Sequence, residues 1–137
     1  MRKLLLLTPL LLAGCYNDSA TFFADSSQEH TLTVRRQQDY FWSGDGRFTL
    51  VAMRMPDCQR RYELAELPLE DTDVELYSDG DDRWSLRAGS QVWQVETRTC
   101  TLNAGGAVAG TKVGDFRAEI DRISFVEADG AVPAAAP

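Results

Sequence analysis

The chain has few of the residues that hydrolytic and metal-dependent enzymes use. Its 137 residues include one histidine, His30, and three cysteines, none of them in a Cys-x-x-Cys pair. We interpret His30 as part of an amino-terminal linker, so the folded part cannot assemble a Ser-His-Asp or Cys-His arrangement. The sequence likewise predicts no metal site and no cofactor. We therefore expect a protein that is not an enzyme, with a hydrolase that uses carboxylates alone as the alternative.

Basic residues are also scarce. The chain has 14 lysines and arginines against 21 aspartates and glutamates, which gives a formal net charge of −7. This balance argues against nucleic acid as a partner, because binding to phosphates requires a basic surface. It also disfavours binding of the protein surface to anionic lipid. The loop 102–114 has glycines spaced as in a phosphate-binding loop, but Thr111 and Lys112 stand in the reverse of the required order. We therefore expect no nucleotide either.

Long apolar runs are missing as well. The run from Leu4 to Leu12 follows Arg2 and Lys3 and is interrupted by a threonine and a proline. A helix that spans a bilayer needs about 20 apolar residues, so this run is too short. Basic residues followed by a short apolar run are typical of an export signal, and we predict a signal peptide over 1–14.

The signal ends on Leu12-Ala13-Gly14-Cys15, which resembles the lipobox of bacterial lipoproteins. The resemblance covers residues 1–15 and implies removal of 1–14 and attachment of acyl chains, such as palmitate, to Cys15. Two acyl chains give stable anchoring in a membrane. Tyr16, rather than aspartate, follows the cysteine, and by this resemblance it favours the outer membrane, facing the periplasm, over the inner membrane.

The two remaining cysteines are Cys58 and Cys100. An even pair in an exported chain is typical of a disulfide. The bond would close a loop of about 43 residues and stabilise the fold by ~4 kcal/mol in the chain-entropy model.

The mature chain divides into three parts by composition. Residues 15–30 are polar and predict a lipidated amino terminus followed by a flexible tether. Residues 31–127 alternate apolar and polar side chains between glycine-containing turns, which predicts a β-domain. Residues 128–137 are mainly alanine and proline and predict a disordered tail.

The pattern of the β-domain predicts a small antiparallel barrel or sandwich of about seven strands. Its last segment, 116–126, fits either a strand with a bulge near Asp121 or a helix, and we favour the strand. Trp84 and Trp93 share the inward parity of neighbouring strands, which predicts a cross-strand pair in the core. Asp73 and Glu75 alternate with apolar residues, as on a solvated strand face.

Aromatic and arginine side chains dominate contact surfaces in proteins. On that basis we select Tyr40, Trp42, Arg60 and Arg61 as a candidate binding surface, with Tyr40 and Trp42 at the end of a strand. The sequence then predicts a lipid-anchored envelope protein whose domain binds an unidentified protein or glycan.

An alternative function comes from a second resemblance. The segment Tyr40-Phe41-Trp42-Ser43-Gly44-Asp45 resembles the aromatic end segment of membrane-bound inhibitors of animal-type lysozyme. Those inhibitors are also small β-barrel lipoproteins with a disulfide. The resemblance implies inhibition of a cell-wall hydrolase.

Overall fold

A computed structural model describes residues 15–128 of the chain. The predicted signal peptide, 1–14, and residues 129–137 of the predicted tail lie outside the described residues. Within 15–128 the regular structure is β throughout, with ten strands in two antiparallel sheets that pack as a sandwich around one apolar core. The all-β prediction is therefore confirmed. The number of strands, ten, exceeds the expected seven, and the two sheets do not close into a barrel.

The first sheet is an antiparallel meander. Its strands, in chain order and in order across the sheet, are β1 (Asn17–Phe23), β2 (His30–Gln37), β3 (Asp45–Arg54) and β4 (Cys58–Pro68). Successive side chains of a strand point to opposite faces. Leu32 and Val34 of β2 and Leu50 of β3 are accordingly fully buried, while Thr33 and Val51, on the opposite face, are half-buried.

The second sheet has six strands. They are β5 (Thr72–Gly80), β6 (Arg83–Ala88), β7 (Gln91–Glu96), β8 (Thr101–Ala104), β9 (Thr111–Ala118) and β10 (Ile123–Glu127). Their order across the sheet is β10-β9-β5-β6-β7-β8, so β9 inserts beside β5 rather than following β8. Val74, Leu76 and Phe116 of the central strands are fully buried against the first sheet.

Trp84 of β6 and Trp93 of β7 are both buried, as their parity predicts. They do not form the expected cross-strand pair, because Trp84 lies opposite Val95 and Trp93 lies opposite Leu86. Trp84 packs edge-on against Phe22 of the other sheet, with 5.4 Å between the ring centroids. The indole of Trp84 therefore joins the two sheets.

The prediction of a flexible tether over 15–30 is wrong for residues 17–23. These residues form β1, which pairs with β2 along its whole length. Ala20 and Phe22 are buried, while the Thr21 hydroxyl is hydrogen-bonded to Thr33 at 2.8 Å. Asn17, Ser19 and Thr21 occupy the outer side of an edge strand, and the sequence pattern does not distinguish that from a linker.

The segment 116–126 is neither a helix nor one bulged strand. The end of β9 and most of β10 form it, joined by a turn at 119–122 in which the Glu119 amide donates to the Arg122 carbonyl at 3.0 Å. Phe125 lies opposite Phe116 across this hairpin. The change of parity in the sequence therefore marks a chain reversal.

The sandwich has two ends, which we call the Tyr16 end and the disulfide end. The Tyr16 end carries the start of β1, the β2–β3 loop 38–44, the segment 69–71 and the turn 119–122. The disulfide end carries Cys58, at the start of β4, and Cys100, between β7 and β8. These two cysteines are bonded, with 5.9 Å between their Cα atoms, so the predicted disulfide is confirmed and links the two sheets.

Candidate functional site

Cys15 lies directly beside the folded domain at the Tyr16 end, and its thiol is free and exposed. Both backbone polar groups of Tyr16, the next residue, are hydrogen-bonded to Gln38. The Gln38 amide donates to the Tyr16 carbonyl at 2.8 Å, and the Tyr16 amide donates to Gln38 Oε1 at 3.2 Å. The Tyr16 hydroxyl donates to Glu70 at 2.7 Å, which raises the pKa of Tyr16. The Arg36 guanidinium lies 4.1 Å from the centroid of its ring.

Arg36 ties the segments of this end together from a fully buried position. It donates to both carboxylate oxygens of Asp18, at 2.9 and 2.7 Å, and to the carbonyls of Leu69 and Glu119, at 2.5 and 2.7 Å. Burial by itself raises the pKa of Asp18. Hydrogen bonds from Arg36 and from the Ile123 amide outweigh it and leave the pKa lowered. The ion pair lies within the first sheet, and its hydrogen bonds with the Glu119 carbonyl and the Ile123 amide connect it to the second sheet.

The β2–β3 loop 38–44 is held in one shape by side-chain contacts. Gln38 Nε2 donates to the Ser43 carbonyl at 2.8 Å, across the base of the loop. Arg47 donates to both oxygens of Asp39, at 2.8 and 2.9 Å, from the neighbouring strand. The loop therefore presents its central residues on a fixed backbone.

Those central residues form an aromatic cluster, Tyr40, Phe41 and Trp42. Their exposed fractions are 58%, 68% and 71%. The rings of Tyr40 and Trp42 stack with 5.0 Å between centroids, and Phe41 meets Trp42 edge-on at 4.9 Å. The prediction that Tyr40 and Trp42 end a strand is wrong, because β2 stops at Gln37.

One further exposed apolar side chain shares this end of the sandwich. Ile120, in the turn 119–122, is 70% exposed, and the neighbouring Glu119 carbonyl accepts from Arg36. The other exposed large apolar side chains among the described residues are Phe23 and Met55, at 40% and 43%, near the disulfide end. A cleft of about 580 Å³ lies beside the aromatic cluster, between Tyr16, the loop and the segment 68–71.

Arg60 and Arg61 do not join this cluster. Both are exposed on β4, but they lie on opposite faces of the strand, since Arg60 is opposite Ala52 and Arg61 is opposite Val51. Val51 is six residues into β3 from the loop 38–44, about 20 Å along the sheet. The structure therefore separates the four residues of the predicted binding surface into two locations.

One arrangement was missed by the sequence analysis because His30 was interpreted as part of a linker. His30 is the first residue of β2, and its Nε2 lies 2.8 Å from the Thr97 hydroxyl, while its Nδ1 lies 3.7 Å from Asp25. This is the order of a nucleophile, a base and an acid. Thr97, however, is fully buried, and its hydroxyl also bonds to Trp84 Nε1 and to the Asp82 carbonyl. The group stabilises the contact between the sheets and offers no accessible nucleophile.

The acidic residues of β5 lie on the outer face of the second sheet, as predicted. Asp73 is exposed and pairs with Arg117 at 3.3 Å. Glu75 is half-buried and accepts from Arg87 at 2.5 Å and Lys112 at 3.4 Å. The hydrogen bond from Arg87 lowers the pKa of Glu75, so this carboxylate stays ionised and is a poor proton donor near neutral pH.

Two observations concern ligands and membranes directly. Within residues 15–128 no three histidine, cysteine, aspartate or glutamate side chains converge in a geometry that could hold a metal ion. The same residues include no helix with the length and apolar character needed to cross a membrane.

Comparison with known proteins gives no relative. No family model matches the chain, and no curated protein or solved structure is significantly similar to it.

Proposed function

We propose that this chain is a lipid-anchored envelope lipoprotein whose β-domain is not catalytic and binds an unidentified envelope protein or glycan. The observation that carries the proposal is the lipobox-like segment Leu12-Ala13-Gly14-Cys15, which ends on an exposed free thiol. Only Tyr16 separates this thiol from β1. Acyl chains on Cys15 hold the sandwich close to the bilayer, in the outer membrane on its periplasmic side.

The disulfide is consistent with this location, because such bonds persist in oxidising compartments. A non-catalytic domain agrees with the buried Thr97 hydroxyl and with the arginine-paired carboxylate of Glu75. The inhibitor alternative is weakened, because the described sheets form an open sandwich rather than a barrel. The likeness of segment 40–45 and the disulfide, which those inhibitors also have, still support it.

The lipid anchor also limits where an envelope partner can bind. Cys15 marks the Tyr16 end, so the parts of the domain that face the periplasm are the disulfide end and the sides of the sheets. Arg60 and Arg61 lie on the edge strand β4 towards the disulfide end and are the candidate partner contacts. Photo-crosslinking from position 61 in intact cells should capture a discrete partner, and crosslinking from the exposed position 90, in the β6–β7 turn at the opposite end of the sandwich, is the control for random encounters.

The anchor is tested by the substitution Cys15→Ser in the full chain. We expect the wild-type protein to sediment with membranes and to incorporate labelled palmitate, and the variant to do neither, because a serine hydroxyl cannot form the thioether. A non-reducing gel that shows the Cys58–Cys100 bond in both proteins controls for folding. Retention of the variant on membranes would contradict the proposal.

A further inference from the structure

We propose that the aromatic cluster, Tyr40, Phe41 and Trp42, together with Ile120 forms a membrane-docking surface. It enters the interfacial layer of the same membrane that holds the lipid on Cys15. This inference rests on the proposed lipid anchor and adds to it a defined orientation of the domain. The occupant of the surface is a lipid headgroup layer, not a soluble partner.

The first argument is position. The Gln38 amide is hydrogen-bonded to the Tyr16 carbonyl, so loop 38–44 begins next to the residue that follows Cys15. Trp42 lies four residues beyond Gln38, and its Cα is therefore at most about 14 Å from that of Gln38. An acylated Cys15 lies in the headgroup region itself. The cluster is thus held within reach of that region by contacts already present in the fold.

The second argument is the distribution of exposed apolar side chains. The four large apolar residues that are more than half exposed in the described chain are the three of the cluster and Ile120, all at the Tyr16 end. Tyr40, Phe41 and Trp42 contact one another, and an exposed apolar patch of this kind marks an interaction site. Tryptophan and tyrosine are enriched where hydrocarbon meets water, because their rings are apolar and their polar tips stay hydrated.

The third argument is the rigidity of the loop. The contacts of Gln38 with Ser43 and of Arg47 with Asp39 fix the backbone before any lipid is bound. The stacked rings of Tyr40 and Trp42 are likewise pre-arranged. Little conformational entropy is then lost on docking, which favours binding by a small surface.

Charge defines the kind of membrane surface. Glu70 and Asp71 line the cleft beside the cluster, and the turn that carries Ile120 exposes two acidic residues, Glu119 and Asp121, against one cation, Arg122. Acidic side chains are repelled by anionic lipid. We therefore expect docking on zwitterionic headgroups, and we expect it to depend on the covalent anchor because the surface is small.

The test attaches purified protein that begins at Cys15 to vesicles through that thiol, the one cysteine outside the disulfide. A maleimide lipid in phosphatidylcholine vesicles replaces the cellular acyl chains, so the result does not depend on whether cells lipidate the chain. Some vesicles contain brominated acyl chains, which quench tryptophan on contact. Trp84 and Trp93 are buried in the core, so quenching reports on Trp42, and the variant Trp42→Phe is the control.

We expect brominated lipid to quench the Trp42 component of the emission, and vesicle attachment to protect that component from aqueous iodide. Trp42→Phe should show neither effect. If iodide reaches Trp42 equally in attached and free protein, and brominated lipid leaves it unquenched, the proposal is overturned. That result would leave the Cys15 anchor untouched, since the Cys15→Ser experiment tests the anchor separately.

A second measurement uses binding strength. A single 14-carbon chain coupled to Cys15 gives only marginal, reversible membrane binding, so added contacts become measurable. The triple substitution Tyr40→Ser, Phe41→Ser and Trp42→Ser should lower the vesicle partition coefficient about tenfold or more, since the apolar area that three side chains remove from water is lost. The matched control, Phe23→Ser with Met55→Ser, alters exposed apolar residues at the other end and should leave it unchanged. Equal partitioning of both variants would overturn the proposal.

Discussion

Arg36 is the residue on which the Tyr16 end depends most. It has the inward parity of Leu32 and Val34, and it is as fully buried as they are. A charge can be buried only if its hydrogen bonds are satisfied, and Asp18 and two backbone carbonyls supply the acceptors. The carbonyls come from segments far away in the chain, so the sequence could predict the direction of this side chain but not its partners.

The substitution Asp18→Asn tests this ion pair. Arg36 is fully buried but the Asp18 side chain is 31% exposed, so the loss of this partner should cost less than in a fully buried pair, roughly 2 kcal/mol of unfolding free energy. The folded-state pKa of Asp18 is lowered from an ordinary value of about 3.9, so its stabilising effect is present above about pH 4 and is lost as the pH falls through the folded-state pKa.

Urea unfolding of both proteins should therefore show a difference in stability that is largest near neutral pH and becomes smaller below about pH 4. Asp57→Asn, at an exposed turn position, is the control and should leave the pH profile unchanged. A difference between wild type and Asp18→Asn that is equal at neutral and acidic pH would show that the ion pair is not its cause.

At the scale of elements, strands in which apolar and polar residues clearly alternate were predictable from the sequence, and short or largely polar strands were not. The hairpin of β6 and β7 follows directly from alternating apolar residues and a turn with glycine. β1 was missed because its outer side is polar, and β8 because it has four residues in a segment rich in glycine and alanine. Such strands form because neighbouring strands supply hydrogen bonds and an apolar face, which a local pattern does not contain.

The segment between β8 and β9 offers an element-scale prediction. Gly110 has a φ of +88°, and a Cβ at this position would lie 2.0 Å from the Ser78 carbonyl oxygen in β5. Gly89, in the β6–β7 turn, has a φ of +59° but open space around it. Gly89→Ala should cost about 1 kcal/mol from backbone conformation alone, and Gly110→Ala about 3 kcal/mol or more because overlap with backbone is added. Denaturant unfolding measures both, and equal losses would contradict the stated geometry.

At the scale of the whole molecule, the two ends of the sandwich are joined by different chemistry. Arg36 and Asp18 connect the sheets at the Tyr16 end through the Glu119 carbonyl and the Ile123 amide, whereas the disulfide and the contact of His30 with Thr97 connect them at the other end. The disulfide was predictable because an even cysteine pair in a chain with a predicted export signal is typical of such a bond. Tyr40 and Trp42 were selected from the sequence as candidate binding residues, and both are exposed, but their position near Cys15 follows only from the pairing of β1 with β2.

The double substitution Cys58→Ala with Cys100→Ala tests the covalent link between the sheets. A loop with a sequence separation of 42 is closed by the bond. Its loss increases the entropy of the unfolded chain and should cost ~4 kcal/mol, or about 10–20 °C in Tm for a domain of this size. Both cysteines are replaced together because a single remaining thiol could pair with the free Cys15.

Cys15→Ser is the matched control and should leave the Tm unchanged, since this thiol is exposed outside the sandwich. Reduction of the wild-type protein should reproduce the shift of the double variant, because both remove the same constraint. Hydrogen exchange adds a spatial readout: amides around Thr97 should lose protection before those around Arg36, which the ion pair with Asp18 still holds. An unchanged Tm in the double variant, or equal loss of protection at both ends, would mean that the sheets do not depend on two separate links.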